Sequence, residues 1–270
     1  MLRTLSVVML GFAFVGHDAF RRSGSEGKRR PTLERAAGTV AQARPIGITH
    51  VTVIDVENNR RLRDQTIVIE GKRIATVGPS NQVRVPDGYG SVDGRGKFVI
   101  PGFVDVRLLA NDSSRVPHDL SRRRLERDAL AGVTTIVLRA SDTLVTPATG
   151  DALVPRAYVA RATRNNSVAR PAAPEPSRTA SIPEYLRRLV ELGLTPAAAL
   201  RLVTYDAARL GGWNDRVGSV APGKLADLLI LSENPLDEVG NVALIDAMVI
   251  DGRFVDDAER NARLARLPSR

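Results

Sequence analysis

The spacing of apolar positions along this chain divides it into three regimes. From Ile46 the apolar residues come in short β-branched runs. Ile48-Thr-His-Val-Thr-Val-Ile54 predicts a strand. Gln65 to Ile69 and Ile74 to Val77, joined through Glu70-Gly-Lys-Arg73, predict a hairpin in which Gly71 supplies the turn conformation. Ser91 to Gly94 and Lys97 to Ile100 are two further short β segments, closed by Pro101-Gly102. From Val116 the period lengthens. Leu120, Leu125, Ala129 and Leu130 recur at helical spacing within Asp119 to Ala131, with Gly132 as the stop signal. Val133 to Leu138 is apolar without alternation, as in a strand buried on both faces, and Ala157 to Val159 is a shorter candidate. Ile182 to Leu192 and Pro196 to Leu210 predict helices, the second opened by Thr195-Pro196. The chain then returns to β: Ala226 to Leu231 is a strand, and Ala247 to Ile250 with Arg253 to Val255 form a hairpin around Asp251-Gly252. Neither β region has enough strands to bury its own face, so the two ends are expected to pair in space.

Residues 164–181, with Pro171, Pro174 and Pro176 among Ala, Ser and Arg, have linker composition. The resulting organisation is a leader or unstructured segment over 1–45, a β domain composed of 46–104 and 214–256, an α/β middle over 105–213, and a C-terminal tail over 257–270. At the N-terminus, Met1-Leu-Arg3 precedes an apolar run from Leu5 to Gly16, too short to span a bilayer and of signal-peptide size. The best small-x-small cleavage site, Ala41-Gln-Ala43, lies far downstream. This leans towards export, with a cytoplasmic location as the alternative.

Composition changes this picture little. The net charge of +9 rests almost wholly on scattered arginines, since lysine occurs only at 28, 72, 97 and 224. No aromatic residues interleave them as in a stacking platform, so dedicated nucleic-acid binding is not expected. With no cysteine, disulfides and thiolate metal sites are ruled out.

Several segments resemble the amidohydrolase superfamily. Glu70-Gly-Lys-Arg-Ile-Ala-Thr-Val-Gly78 is similar to its N-terminal hairpin. Val92-Asp-Gly-Arg-Gly-Lys-Phe-Val-Ile-Pro-Gly-Phe-Val-Asp105 resembles its approach to the first barrel strand. Gly193 to Leu200 and Thr204 to Ala208 resemble the last barrel helices, and Gly218-Ser-Val-Ala-Pro-Gly-Lys-Leu-Ala-Asp-Leu-Leu-Ile-Leu231 the return to the β domain. The motifs occur in the family's order over roughly 46–140 and 182–256. The resemblance implies an α/β fold with a small β-sandwich formed by both chain ends and a TIM-type (β/α) barrel. It also implies hydrolysis of non-peptide C–N bonds by a water activated on Zn or another divalent metal.

That chemistry needs a His-x-His pair after the first barrel strand, two further histidines, an aspartate after the eighth strand and, in some members, a bridging lysine. The corresponding pair here is Arg107 and Leu109. Arginine stays protonated and leucine has no donor atom. Of the three histidines, His17 lies in the leader and His50 in the first strand. That leaves His118 as a weak metal candidate, and one histidine cannot build a site. Lys72, Lys97 and Lys224 all belong to the β motifs. Asp142 and Asp151 read as turn or surface residues. The stretch from Val104 to Leu210 is also only about half of what a closed eight-stranded barrel needs. The expectation is an incomplete barrel remnant, with no catalytic, metal or cofactor residue and no bound cofactor. Two alternatives stay open: an active hydrolase whose barrel is completed in trans, and a non-catalytic binding or assembly module that self-associates through an exposed barrel edge.

Overall fold

In a computed structural model of the protein, residues 44–106, 122–138, 153–159 and 181–267 are described. The predicted leader lies outside them except for Arg44 and Pro45, as does all of the linker stretch except Ser181. The architecture is mixed α/β, with two sheets and few helices.

The larger sheet takes strands from both ends of the chain. Strands β1 (Ile46–Asp55), β2 (Arg60–Glu70), β3 (Arg73–Pro79), β4 (Gly90–Asp93) and β5 (Phe98–Pro101) join β9 (Leu228–Leu231), β10 (Ile245–Ile250) and β11 (Arg253–Asp256). The order is β11-β10-β9-β5-β1-β2-β3, with β4 beside β1. The antiparallel β5–β9 ladder, Phe98 opposite Leu231 to Pro101 opposite Leu228, joins the two ends. β4 and β5 do not pair with each other. They lie end to end along one edge of β1, both parallel to it. β1 bends between them at His50, where the register with β2 shifts and φ is 57°.

At the far end of the path, the β2–β3 hairpin closes back onto the approach to β9. Ile74 donates to the Lys224 carbonyl and Ala226 to the Lys72 carbonyl, both at 2.9 Å. The curvature leaves β9 buried on both faces, which explains its unbroken apolar sequence. Leu228 and Ile230 enter a core with Ile48, Val51, Ile67 and Ile69. Leu229 and Leu231 face the helices.

The second sheet is parallel and three-stranded: β6 (Phe103–Asp105), β7 (Val133–Leu138) and β8 (Arg156–Val159), in that order. Helix α1 (Arg122–Leu130) precedes β7 and buries Leu125, Ala129 and Leu130. Helix α2 (Ile182–Glu191) starts at Ser181, whose side chain and that of Glu184 form a reciprocal capping box. The helix predicted from Pro196 to Leu210 is interrupted. It runs as α3 (Pro196–Arg201), a π-helical turn (Leu202–Asp206) and α4 (Ala207–Gly211). Finally, 257–266, read from sequence as part of a tail, is helix α5 (Asp257–Arg266), capped by the Asp256 carboxylate. It has no fully buried residue, so its apolar periodicity was too weak to be seen.

Candidate active site

Barrel enzymes carry their chemistry at the C-terminal ends of the parallel strands. Here β6, β7 and β8 end at Asp105, Leu138 and Val159. Among the described residues, only Asp105, which is buried, brings a carboxylate to these ends. Arg107 and Leu109, the two positions of the His-x-His pair, lie outside the described residues, as do His118, Asp142 and Asp151. His50 is held elsewhere, with Nδ1 2.7 Å from Asp64 Oδ1. That hydrogen bond lowers the Asp64 carboxyl below its ordinary value. Lys97 pairs with Asp246 at 2.8 Å and Lys72 with Asp251 at 2.5 Å, so both serve the larger sheet. Among the described residues, no group of three or more His, Cys, Asp or Glu could hold a metal ion.

One face of the parallel sheet is filled by apolar packing. Val104 of β6 and Val137 of β7 meet Ala207 and Ala208 of α4, together with Val217 and the half-buried Trp213. Tyr158 of β8 stacks on Trp213, with centroids 4.3 Å apart at 23°. The Arg216 guanidinium lies over the indole at 5.6 Å. Trp213 therefore covers this face of the parallel sheet.

A polar cluster that the sequence reading missed sits at the opposite, N-terminal end of β8. Arg156 grips Asp227 with Nε 3.0 Å from Oδ2 and Nη2 3.3 Å from Oδ1. Its Nη1 lies 2.5 Å from Asp251 Oδ1. Asp227 also accepts the Asp251 backbone N–H at 2.7 Å. Lys72 pairs with the outer oxygen of Asp251, so four elements converge here. Burial pushes the Asp227 carboxyl above its ordinary value, while the Arg156 charge and hydrogen bonds pull the other way. Burial works against the Arg156 charge too, but Asp227 and Asp251 outweigh it and hold the guanidinium above its usual value. One signal was present in the sequence: Asp227 opens an apolar run, and a carboxylate buried there needs a cation. Nothing in the sequence says that the cation comes from Arg156.

Residues 158–255 match the model of the amidohydrolase family. The adenine deaminase of Gluconobacter oxydans (strain 621H) is 40% identical over 78 residues, which cover 29% of this chain and 13% of that relative. The chain thus matches only about an eighth of the length of that curated relative. Among solved structures, molinate hydrolase superposes with a TM-score of 0.61 at 14% identity, covering 80% of this chain and 95% of that one. A Xaa-Pro dipeptidase with bound methionine gives 0.58 at 13% identity, covering 78% and 100%. The C-terminal part of the chain thus resembles the amidohydrolase family in sequence, in agreement with the motifs read there.

Members of that family typically use divalent metal ions. The described residues do not fit one. A single carboxylate marks the strand ends, and the buried carboxylate Asp227 is neutralised by Arg156 at the other end of β8. This arrangement can hold sheets together and exclude water. Among the described residues it offers no group of three or more His, Cys, Asp or Glu with which a metal-bound water could be activated.

Proposed function

We propose that this chain is an amidohydrolase-type scaffold that does not by itself perform the family's metal-dependent hydrolysis of C–N bonds. In this reading the eight-stranded sheet is the composite β-sandwich (46–104 and 214–256), and the three parallel strands are the remnant of an internally truncated barrel (105–213). The observation that carries the reading is the filled face of the parallel sheet. Tyr158, Trp213, Val104 and Val137 occupy it, and the sequence puts Arg107 and Leu109 where two ligands would stand. The test is elemental analysis of the purified chain before and after loading with Zn, Mn or Fe, with a hydrolysis panel alongside. Adenine and prolyl dipeptides lead that panel because the relatives and structural neighbours act on them by name. The expected result is no stoichiometric metal and no turnover. One tightly held equivalent, or metal-dependent release of product, overturns it.

A second reading, a barrel completed in trans by another copy, is favoured by the position of β8, which is an edge strand of its sheet. Sedimentation across a concentration series separates the two readings. A monomer throughout removes the second.

A further inference from the structure

A serine and a lysine meet in the approach to β9, away from the ends of the parallel strands. Ser219 and Lys224 sit at the two ends of the loop leading into β9, and the Lys224 ammonium donates a hydrogen bond to Ser219 Oγ. The backbone at both ends is fixed. Gly218, just before the serine, has φ of 88°, and a Cβ there would lie 2.7 Å from the Ala208 Cβ. Lys224 donates to the Ala221 carbonyl at 3.2 Å and accepts from Ile74 at 2.9 Å. Ser219 is buried and Lys224 half-buried. The Tyr205 ring, carried by the π-helical turn, lies 5.8 Å from Nζ, and π-turns recur at functional sites. Lysine here meets a neutral hydroxyl as its hydrogen-bond partner rather than a carboxylate.

We propose that Ser219 and Lys224 form a nucleophile–base pair that accepts small acyl groups from carboxylic esters, independently of any metal. Once Lys224 has lost its proton, its amine accepts the hydrogen bond from the serine hydroxyl. Ser219 Oγ then attacks the ester carbonyl carbon while Nζ takes the hydroxyl proton. The C–O bond to the alcohol breaks, and Lys224 returns the proton to the departing alkoxide. Water, deprotonated by the same amine, releases the carboxylic acid and restores the serine. Serine–lysine pairs work in this way on unrelated folds. Burial disfavours the ammonium and lowers the Lys224 value, while Glu57 of the β1–β2 turn and Asp215 raise it in part. The burial of Ser219 restricts the acyl group to a small one, and acetyl is the natural probe.

The full chain is incubated with 4-nitrophenyl acetate, with EDTA present, from pH 6 to 10. The expected result is one acetyl group mapped to Ser219 by peptide mass spectrometry, forming at a rate that rises with pH through an inflection below the ordinary lysine range. Ser219→Ala loses the adduct. Lys224→Arg keeps a cationic donor for the loop but provides no base, so it slows acetylation by about 100-fold or more. An acetyl found on Lys224 or elsewhere, no adduct at all, or wild-type rates in Lys224→Arg each overturn the proposal. The mapping on the unaltered chain needs no variant, so a misfolded substitution cannot mask the answer. The outcome is also separable from the metal question, because EDTA is present throughout.

Discussion

Replacing Arg156 by methionine tests how the parallel sheet is fastened to the larger one. The side chain keeps most of its length and loses its charge and all its donors. Asp227 would retain one hydrogen bond, from the Asp251 backbone at 2.7 Å, and lose the bonds from Nε and Nη2. The side chains of Arg156 and Asp227 are only 21% and 4% exposed, so this is a broken buried pair, worth about 3–5 kcal/mol. The contact with Asp251, 42% exposed on the acidic side, adds about 0–1 kcal/mol after solvent screening. Burial already raises the Asp227 carboxyl, and loss of the cation raises it further. A carboxyl whose folded value exceeds its unfolded one favours the folded state below the unfolded value. It loses that advantage as pH climbs through the folded value. The variant should therefore lose the full amount near pH 7 and recover by up to about 1.4 kcal/mol for each unit of acidification within that window. Urea melts at pH 7 and pH 5, read by circular dichroism, give both numbers. Adding Asp227→Asn, whose carbonyl still accepts from Asp251, should restore most of the loss at pH 7. A single-variant loss below about 1 kcal/mol at pH 7, with an unchanged slope, would refute the claim that the pair is a buried fastening.

Three further outcomes follow from local geometry. Gly252→Ala should cost about 3 kcal/mol or more, since φ is 79° and the new Cβ would fall 1.9 Å from the Gly71 carbonyl oxygen; chemical melts check this, and a cost under ~1 kcal/mol contradicts the close approach of the two turns. Ser181→Ala removes the cap and half of the capping box of α2 and should lower stability by about 1 kcal/mol, measured the same way. Zinc or EDTA should leave the melting temperature unchanged, whereas a native site at 100 times its Kd would add about 2.7 kcal/mol; a clear upward shift with zinc defeats the scaffold reading.

What the sequence made legible was local. Asp251-Gly252 forms its turn because both residues take positive φ, 54° and 79°. The Val133 to Leu138 run became a central parallel strand because its apolar residues pack on both faces, Val133 and Ile136 in one core and Val137 in another, with Thr134 and Thr135 buried between them. The interruption of the Pro196 to Leu210 helix was not legible, because Leu-Val-Thr-Tyr-Asp is an ordinary helical sequence. Packing supplies the reason: Gly218 leaves no room for a Cβ against the Thr204 carbonyl and Ala208, so this loop presses on the helix where it widens. The polar cluster at Arg156 was illegible for a related reason. Its main partner, Asp227, lies 71 positions away in the chain, and only folding brings them together.

The same limit applies to the parallel sheet, whose covering only the folded chain defines. Sequence could count missing ligands, but a count leaves open whether a lumen remains for a borrowed one. Tyr158 lies on β8, the edge strand beside which a borrowed strand would pair, and stacks on Trp213, with α4 pressed on Val104 and Val137. A partner strand added at that edge would change the surroundings of that stack. Trans-completion therefore predicts a change in tryptophan fluorescence with concentration, and the scaffold reading predicts none.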